Sequence, residues 1–195
     1  MKERKVSIKR KTKETDVKVF LNLDGSGICK IESGIGFFDH LLTQFAVHGR
    51  LDLKVMAKGD LNVDDHHTVE DVGITLGKAF YKALGDKKGI RRYGNALIPM
   101  DDALILFALD ISGRPYLNFN VKFRREKVAD LSMETISEFF RAFSLNAKVT
   151  LHISKLFGEN DHHTAEAIFK AFGRAFREAV EREDNGIIPS TKGVL

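Results

Sequence analysis

The sequence predicts an α+β fold built from two similar halves, and two observations lead to this prediction. First, DHHTVEDVGITLGKAF (Asp65–Phe80) is matched by DHHTAEAIFKAFGRAF (Asp161–Phe176), 96 residues later in a chain of 195. Second, the same order of segments, strand-strand-helix-strand-helix, surrounds both copies. A long match at one offset indicates a duplicated unit. We therefore expect one domain, 1–195, made of repeats of about 1–95 and 96–195.

The first half contains two segments that alternate apolar and polar residues around a Gly-Ser-Gly turn, which predicts a β-hairpin. A helix, a third strand and a second helix follow, since apolar residues recur at helical spacing in the helices and alternate in the strand. The elements predicted for this half are Val17–Leu23, Ile28–Ile31, Phe37–His48, Leu51–Ala57 and Val69–Leu84.

The second half repeats that order of elements. Its predicted strands and helices are Ala103–Asp110, Tyr116–Phe123, Met133–Leu145, Val149–Ile153 and Ala165–Phe176. This mixture predicts a sheet-and-helix sandwich, with sheets on one side and helices on the other. Each half is short, so we expect the two to share one core.

Composition limits the class of protein. The net charge of +4 is too small to indicate a nucleic-acid partner. Cys29 is the single cysteine, so an internal disulfide is excluded and a reducing cytoplasm is favoured. No apolar run approaches the length of a membrane span, and no apolar segment of a signal peptide follows the basic start. We expect a cytoplasmic protein without nucleic-acid or membrane partners.

The repeated motif carries residues that can bind metal ions. His66 and Glu70 are four residues apart and share one helix face, whereas His67 is rotated away from it. One motif therefore cannot direct all three side chains to one ion, but two motifs related by a twofold axis can. The resulting hypothesis has two ions, one bound by His66, Glu70 and His163 and the other by His162, Glu166 and His67. Imidazole and carboxylate ligands suit manganese, iron, zinc or nickel better than calcium or copper(I).

A fourth ligand is expected from the helix that precedes each motif. Aligning Phe38-Asp-His-Leu-Leu with Ser137-Glu-Phe-Phe places His40 against Glu138, and both side chains can bind a metal. Four protein ligands on a six-coordinate ion leave two positions for a substrate.

Other polar residues have structural explanations as well as functional ones. A single His-His pair can simply cap a helix start, and His48, beside Gly49, can be a helix C-cap or a substrate contact. The basic residues Arg92 and Arg114 and the terminal Ser190-Thr-Lys192 suit an anion such as phosphate, although such residues are usually surface charges.

Several motifs, taken together, resemble the imidazoleglycerol-phosphate dehydratase family of histidine biosynthesis. The resemblance covers nearly the whole chain. It is carried by Arg10-Lys-Thr-Lys-Glu-Thr, Gly36-Phe-Phe-Asp-His-Leu-Leu, Asp65-His-His-Thr-Val-Glu-Asp, Asp161-His-His-Thr-Ala-Glu-Ala and Ser190-Thr-Lys-Gly. It implies a duplicated α+β fold, two manganese ions per active site, and an assembly of twenty-four subunits built from trimers, with sites between subunits.

The resemblance also implies roles for individual residues. The metal ligands it implies are His40, His66, His67, Glu70, His162, His163 and Glu166. The carboxylates given catalytic roles are Glu14, Glu70 and Glu166, with Glu14 as the acid/base near the substrate. The substrate contacts are Glu14, His40, Gln44, His48, Arg92, Arg114, Lys170, Ser190, Thr191 and Lys192. Glu138 departs from the family, which usually has histidine there, and we still expect it to bind manganese.

The implied reaction is the loss of water from D-erythro-imidazole glycerol phosphate to give imidazole acetol phosphate. The proton to be removed is bound to carbon and no carbonyl group is adjacent, so the imidazole ring must accept the electrons. Two alternatives use the same ligand types. A dinuclear phosphoester hydrolase would release phosphate, and a metal-storage protein would bind metal without turnover.

Overall fold

The computed structural model describes residues 4–183, 186–193 and 195, and contains two similar sets of strands and helices. In the first repeat these are β1 (Lys5–Lys11), β2 (Thr15–Asn22), β3 (Cys29–Glu32), α1 (Gly36–Gly49), β4 (Asp52–Gly59) and α2 (His66–Leu84). In the second they are β5 (Tyr93–Met100), β6 (Ala103–Asp110), β7 (Tyr116–Asn120), β8 (Lys127–Val128), β9 (Leu131–Ser132), α3 (Thr135–Ala147), β10 (Thr150–Phe157) and α4 (Asp161–Val180).

The two four-stranded sheets have the same topology. Their strand orders are β1-β2-β4-β3 and β5-β6-β10-β7, and in each the last pair is parallel while the others are antiparallel. This correspondence confirms the prediction of an α+β fold with duplicated halves. The short β8-β9 ribbon occurs in the second repeat.

Each four-stranded sheet has one strand more than the strand-strand-helix-strand-helix order predicted. The additional strands β1 and β5 lie at the sheet edges. β1 presents only Val6 and Ile8 as half-buried apolar residues, and β5 contains Gly94 and Pro99, so neither has a strong strand pattern. Gly94 is required there because a Cβ would lie 1.9 Å from the carbonyl oxygen of Ala175 in α4.

The predicted hairpin between the second and third strands is wrong. β2 pairs with β1 and β4, whereas β3 lies on the far side of β4 and runs parallel to it. A Gly-Ser-Gly segment indicates a change of direction but does not decide which strand becomes the neighbour. Here the side chain of Asp52 in β4 accepts hydrogen bonds from the backbone N–H groups of Ser26 and Ile28. These bonds hold the connection against β4.

The helices lie between the two sheets, which corrects the predicted arrangement of sheets on one side and helices on the other. α2 packs on β1 and β2, and α4 packs on β5 and β6. Across the centre, α1 pairs with α4 and α2 pairs with α3, so each helix pair combines one helix from each repeat. Stacked phenylalanines fill this layer, as shown by Phe45 and Phe172 with ring centroids 4.1 Å apart. None of the helices that the structure describes is long and apolar enough to cross a membrane.

Equivalent glycines allow the helix pairs to approach closely. A Cβ at Gly77 of α2 would lie 2.7 Å from the carbonyl oxygen of Phe143 in α3. A Cβ at Gly173 of α4 would lie 2.6 Å from the carbonyl oxygen of Phe45 in α1. Both glycines occupy the same position of the duplicated motif, so the same kind of backbone contact sets the spacing in each helix pair.

Alanine at either glycine is expected to destabilise the fold. Because the obstructing atoms belong to backbone, the helices must separate, and overpacking of this kind costs about 1–3 kcal/mol. Chemical denaturation of Gly77→Ala and Gly173→Ala, compared with the exposed neighbour Lys78→Ala as a control, measures the loss. Equal unfolding free energies for all three variants would contradict the proposed close packing.

Candidate active site

Equivalent side chains cap the two motif helices. Asp64 Oδ1 accepts a hydrogen bond from the backbone N–H of His66 at 2.9 Å. Asn160 Oδ1, at the same place in the second motif, accepts one from His162 at 2.9 Å. These bonds satisfy N–H groups that have no partner within the helix. Both histidine pairs are thereby held in the first turn of their helix.

Three side chains able to bind a metal ion converge where α1 meets the start of α4. Glu166 Oε1 lies 2.9 Å from His40 Nε2 and 3.0 Å from His162 Nε2. One ligand atom from each residue lies within 4.8 Å of the other two. Glu166 is buried, whereas the histidine side chains are 43% and 44% exposed. The group therefore combines a buried carboxylate with two imidazoles that solvent can reach, beside a cavity of about 550 Å³.

Glu166 is held in its ionised form. Burial alone would raise its pKa, but a hydrogen bond from Lys170 Nζ at 2.6 Å and the rings of His40 and His162 outweigh burial and lower the pKa to about 2. One carboxylate oxygen faces the histidines and the other faces Lys170. At neutral pH Glu166 thus carries a negative charge, and its oxygen that faces the histidines can bind a cation.

A second cavity of about 480 Å³ adjoins this group along α1 and α4. Its lining residues are Gln44, His48, Ile98, Pro99, Lys170 and Arg174. Gln44 Nε2 lies 3.3 Å from His40 Nε2, which connects the two cavities. The structure thus places the predicted substrate residues Gln44, His48 and Lys170 beside the metal-capable group.

His48 is held neutral by its surroundings. Burial is the largest cause of its lowered pKa, and the positive charges of Lys170 and Arg174 lower it further. A neutral imidazole at this position can accept or donate a hydrogen bond. The C-cap of α1 is Arg50, whose backbone N–H donates to the carbonyl oxygen of Val47. His48 is therefore not required as the cap of this helix.

Replacing Arg174 by alanine should raise the pKa of His48. The change removes a nearby positive charge and leaves burial, the larger cause, so the pKa should rise but stay below its ordinary value. A histidine with a lowered folded pKa stabilises the fold above the unfolded value of about 6.5 and loses this contribution as the pH falls through the folded pKa. Titration of labelled histidine by NMR checks the shift. Arg177→Ala serves as the control, and an unchanged His48 titration in Arg174→Ala would contradict the charge effect.

The first motif does not form an equivalent three-residue group. Among the described residues, the group of three His and carboxylate ligands contains His40, His162 and Glu166 alone. Glu138, the counterpart of His40, forms an ion pair with Arg141 in the next turn of α3. His66 and Glu70 are half-buried at the start of α2. Binding of a metal by these three residues stays a prediction.

His67 and His163, the second histidines of the motifs, contact aspartates. His67 Nδ1 lies 3.0 Å from Asp60 Oδ2, and His163 Nδ1 lies 2.8 Å from Asp102 Oδ1. Neither histidine belongs to the group around Glu166 within the described part of one chain. The predicted exchange of these histidines between ions stays a prediction.

Glu14 lies in the exposed turn between β1 and β2. Its backbone N–H donates to Thr12 Oγ1 at 3.1 Å. The pKa of His67 is raised, first by the hydrogen bond with Asp60 and further by the charge of Glu14. Glu14 is therefore near His67 and open to solvent, which suits a residue that transfers protons.

The predicted anion-binding arginines lie at the opposite end of the second sheet from the His40 group. Arg92 Nε donates to Asp110 Oδ1 at 2.7 Å, and the carbonyl of Arg114 accepts from Thr150 Oγ1 at 3.1 Å. Asp110 pairs with Thr150 at the start of β10, whereas α4 begins beyond the end of β10. The eight residues of this strand separate the two groups by roughly 20–25 Å.

The terminal segment adjoins Arg92. Arg92 Nη1 donates to the carbonyl oxygen of Pro189 at 2.8 Å. Ser190, Thr191 and Lys192 follow in an exposed turn, in which Ser190 Oγ accepts from the backbone N–H of Lys192 at 3.2 Å. The structure therefore brings Arg92 to the segment that carries these three predicted residues.

Sequence reasoning missed Asp60, Asp102 and Arg174. Asp60 and Asp102 lie outside the repeated motif, and their contacts with histidines depend on tertiary structure. Arg174 is one step of four residues beyond Lys170, so helical spacing could have identified it.

Comparisons with known proteins show which family the chain resembles. The family model described as "Imidazoleglycerol-phosphate dehydratase" matches residues 33–176. The chain is 57% identical over 195 residues to the imidazoleglycerol-phosphate dehydratase of Caldicellulosiruptor saccharolyticus, with all of both chains covered. It is also 57% identical over 195 residues to that of Clostridium botulinum, again with complete coverage of both.

Solved structures of the same enzyme share the fold. The Staphylococcus aureus imidazoleglycerol-phosphate dehydratase superposes with a TM-score of 0.84 at 41% identity, covering 92% of this chain and 99% of that one. The Pyrococcus furiosus enzyme gives a TM-score of 0.84 at 38% identity, covering 96% and 100%.

Proposed function

Because the chain belongs to the imidazoleglycerol-phosphate dehydratase family, a family of hydro-lyases in histidine biosynthesis, we propose that it dehydrates D-erythro-imidazole glycerol phosphate to imidazole acetol phosphate in a metal-dependent reaction. The observation that carries the metal dependence is the convergence of His40, His162 and Glu166. We place the reaction in the cytoplasm, as the single cysteine suggests.

The residues of this group fit Mn²⁺. Glu166 is ionised at neutral pH, and both histidines direct Nε2 toward the same carboxylate oxygen. Imidazole and carboxylate donors are a suitable set for manganese. In the proposed enzyme His40, His162 and Glu166 belong to one ion, and His66, Glu70 and Glu138 to a second. When bound, the ions supply positive charge that stabilises the electron-rich imidazole of the substrate.

The remaining chemistry falls to side chains. Glu14 is exposed beside His67 and acts as the carboxylate that moves the proton of the substrate carbon. Arg92, Arg114, Ser190, Thr191 and Lys192 bind the phosphate, remote from the bonds that change, and Lys170 binds it from beside Glu166. Such contacts orient the substrate and contribute binding energy to catalysis. Gln44 and neutral His48 line the wall of the site.

One chain does not hold all of these residues in one place. An imidazole ring, three carbons and a phosphate extend roughly 10 Å at about 1.5 Å per bond. Arg92 and Arg114 lie roughly 20–25 Å from the His40 group along β10. A site that uses both groups therefore combines residues from different copies, as does the exchange of His67 and His163. This supports a homo-oligomer, which we propose to contain twenty-four subunits built from trimers, as the family resemblance implies.

The dinuclear hydrolase and the metal-storage protein are the weaker candidates. Both would explain the cluster around Glu166. Neither explains why relatives that match the entire chain are dehydratases.

A direct assay tests the proposed function. Metal-free protein supplied with imidazole glycerol phosphate should form the keto product, followed by its ultraviolet absorbance, only after Mn²⁺ is added. His162→Ala should lower manganese binding and reduce the rate by roughly 100-fold or more, since outer-shell changes alone cost 10–100-fold at metal sites.

His152→Ala is the matched control for this assay. His152 is exposed on β10 and contacts Asn118, so its removal should leave both metal content and rate close to those of the parent. Full activity without any metal would refute the metal dependence. Release of inorganic phosphate without keto product would identify a hydrolase instead.

Assembly should depend on metal if ligands from different copies share an ion. Chelation is then expected to shift the particle from the large assembly toward trimers, because removing the ion leaves the ligands unbridged. Sedimentation velocity, with and without chelator, measures the change. A large particle that is shown to be metal-free would count against metal-bridged assembly.

A further inference from the structure

Asp102 connects His163 to the segment that leads into α4. Its Oδ1 lies 2.8 Å from His163 Nδ1. Its Oδ2 accepts hydrogen bonds from the backbone N–H groups of Glu159 at 2.6 Å and Asn160 at 3.0 Å. Because Oδ2 accepts from two backbone N–H groups, Asp102 is present as a carboxylate, which can only accept. Nδ1 of His163 must therefore be the donor.

Asp60 forms the same contact with His67. Both of its oxygens lie near His67 Nδ1, at 3.0 and 3.3 Å. In each motif, the second histidine thus points Nδ1 at an aspartate and leaves Nε2 on the other side of the ring. Beside His163 that other side is acidic, since Asp101 Oδ2 lies 3.3 Å from Nε2.

The two aspartates are not counterparts in the duplication, although the two histidines are. Asp60 follows β4, and the corresponding position after β10 is Gly158. Asp102 lies in the β5–β6 turn. According to the pairing of the strands, its counterpart in the first repeat is Glu14, in the β1–β2 turn. The same type of hydrogen bond is therefore made by residues at non-equivalent positions in the two repeats. In the first repeat Asp60 makes this bond, and Glu14, the counterpart of Asp102, is exposed.

The bond has a chemical consequence for each ring. A neutral imidazole carries one N–H, and a carboxylate acceptor at Nδ1 favours the tautomer with the proton there. Nε2 then keeps its lone pair, which is the form that binds a metal ion, and partners of this kind orient metal-binding histidines.

We propose that Asp60 and Asp102 are positioning residues, which hold His67 and His163 as Nδ1–H tautomers so that the lone pair of Nε2 can bind a metal ion. This inference rests on the proposed function, because the ion is the proposed manganese. The tautomer itself can be observed without any metal, so the two can be tested separately.

Solid-state NMR of metal-free protein with ¹⁵N-labelled histidine reports the tautomer of each ring. At about pH 9, well above the ordinary imidazole pKa of about 6.5, neutral rings dominate. His67 and His163, assigned by His67→Gln and His163→Gln, should both show a protonated Nδ1.

Asp102→Asn should invert the tautomer of His163. The amide oxygen is needed by the backbone N–H groups of Glu159 and Asn160, so the amide NH₂ faces Nδ1 and demands an acceptor there. The proton then moves to Nε2, which can no longer bind an ion. Manganese binding, measured by isothermal titration, should weaken by about 10–100-fold.

Variants of Asp60 provide a contrast. Its carboxylate holds no backbone N–H group in the described contacts, so in Asp60→Asn the amide can turn its oxygen to His67 and the Nδ1–H tautomer should persist. Asp60→Ala should lose that preference and weaken manganese binding. Asp52→Asn is the control, since Asp52 likewise anchors backbone N–H groups, those of Ser26 and Ile28, but at the far end of β4.

The outcomes separate the two proposals. An Nδ1–H tautomer of His163 that survives in Asp102→Asn, with unchanged manganese affinity, would overturn the positioning role. Inversion in Asp102→Asn with no change in Asp52→Asn would establish it. A parent protein that binds no manganese would refute the metal in the proposed function, while the tautomers would still decide the role of the aspartates.

Discussion

The pairing of helices across the two repeats is the constraint on which the site depends. α1 belongs to the first repeat and α4 to the second, and the backbones meet where Gly173 faces the carbonyl of Phe45. The packing of α1 against α4 brings His40 to 2.9 Å from Glu166. Neither repeat alone contains the group, because its ligands come from both. A change that separates these helices therefore affects the chemistry as well as the stability.

The duplication preserved the scaffold but not the surface of its helices. The glycines that set helix spacing, Gly77 and Gly173, occur in both copies. The polar residues along α1 are not repeated in α3. Where α1 carries His40, Gln44 and His48, α3 carries Glu138, Ala142 and Asn146. Similarly, Lys170 of α4 corresponds to Ile74 of α2. The cavity next to Glu166 is therefore a property of one helix pair, and the two motifs have different roles within one chain.

Periodicity was sufficient to predict the parts of the fold that are locally encoded. The repeated motif begins both α2 and α4, and the duplication is visible in it without any structure. Edge strands were missed because β1 and β5 bury few side chains. The hairpin was wrong because strand neighbours depend on tertiary contacts such as that of Asp52 with the β2–β3 connection. Helices between sheets, rather than beside them, also follow from packing that no local pattern expresses.

The candidate site shows the same limit more sharply. The residue types and spacing of His162 and Glu166 pointed to a metal, and the structure brings His40 to them. The aspartates behind His67 and His163 could not be found in this way, because Asp60 and Asp102 occupy unrelated positions in the two repeats. A repeat in the sequence reveals only what both copies retained. A hydrogen bond made from different positions in the two copies leaves no repeated residue to detect.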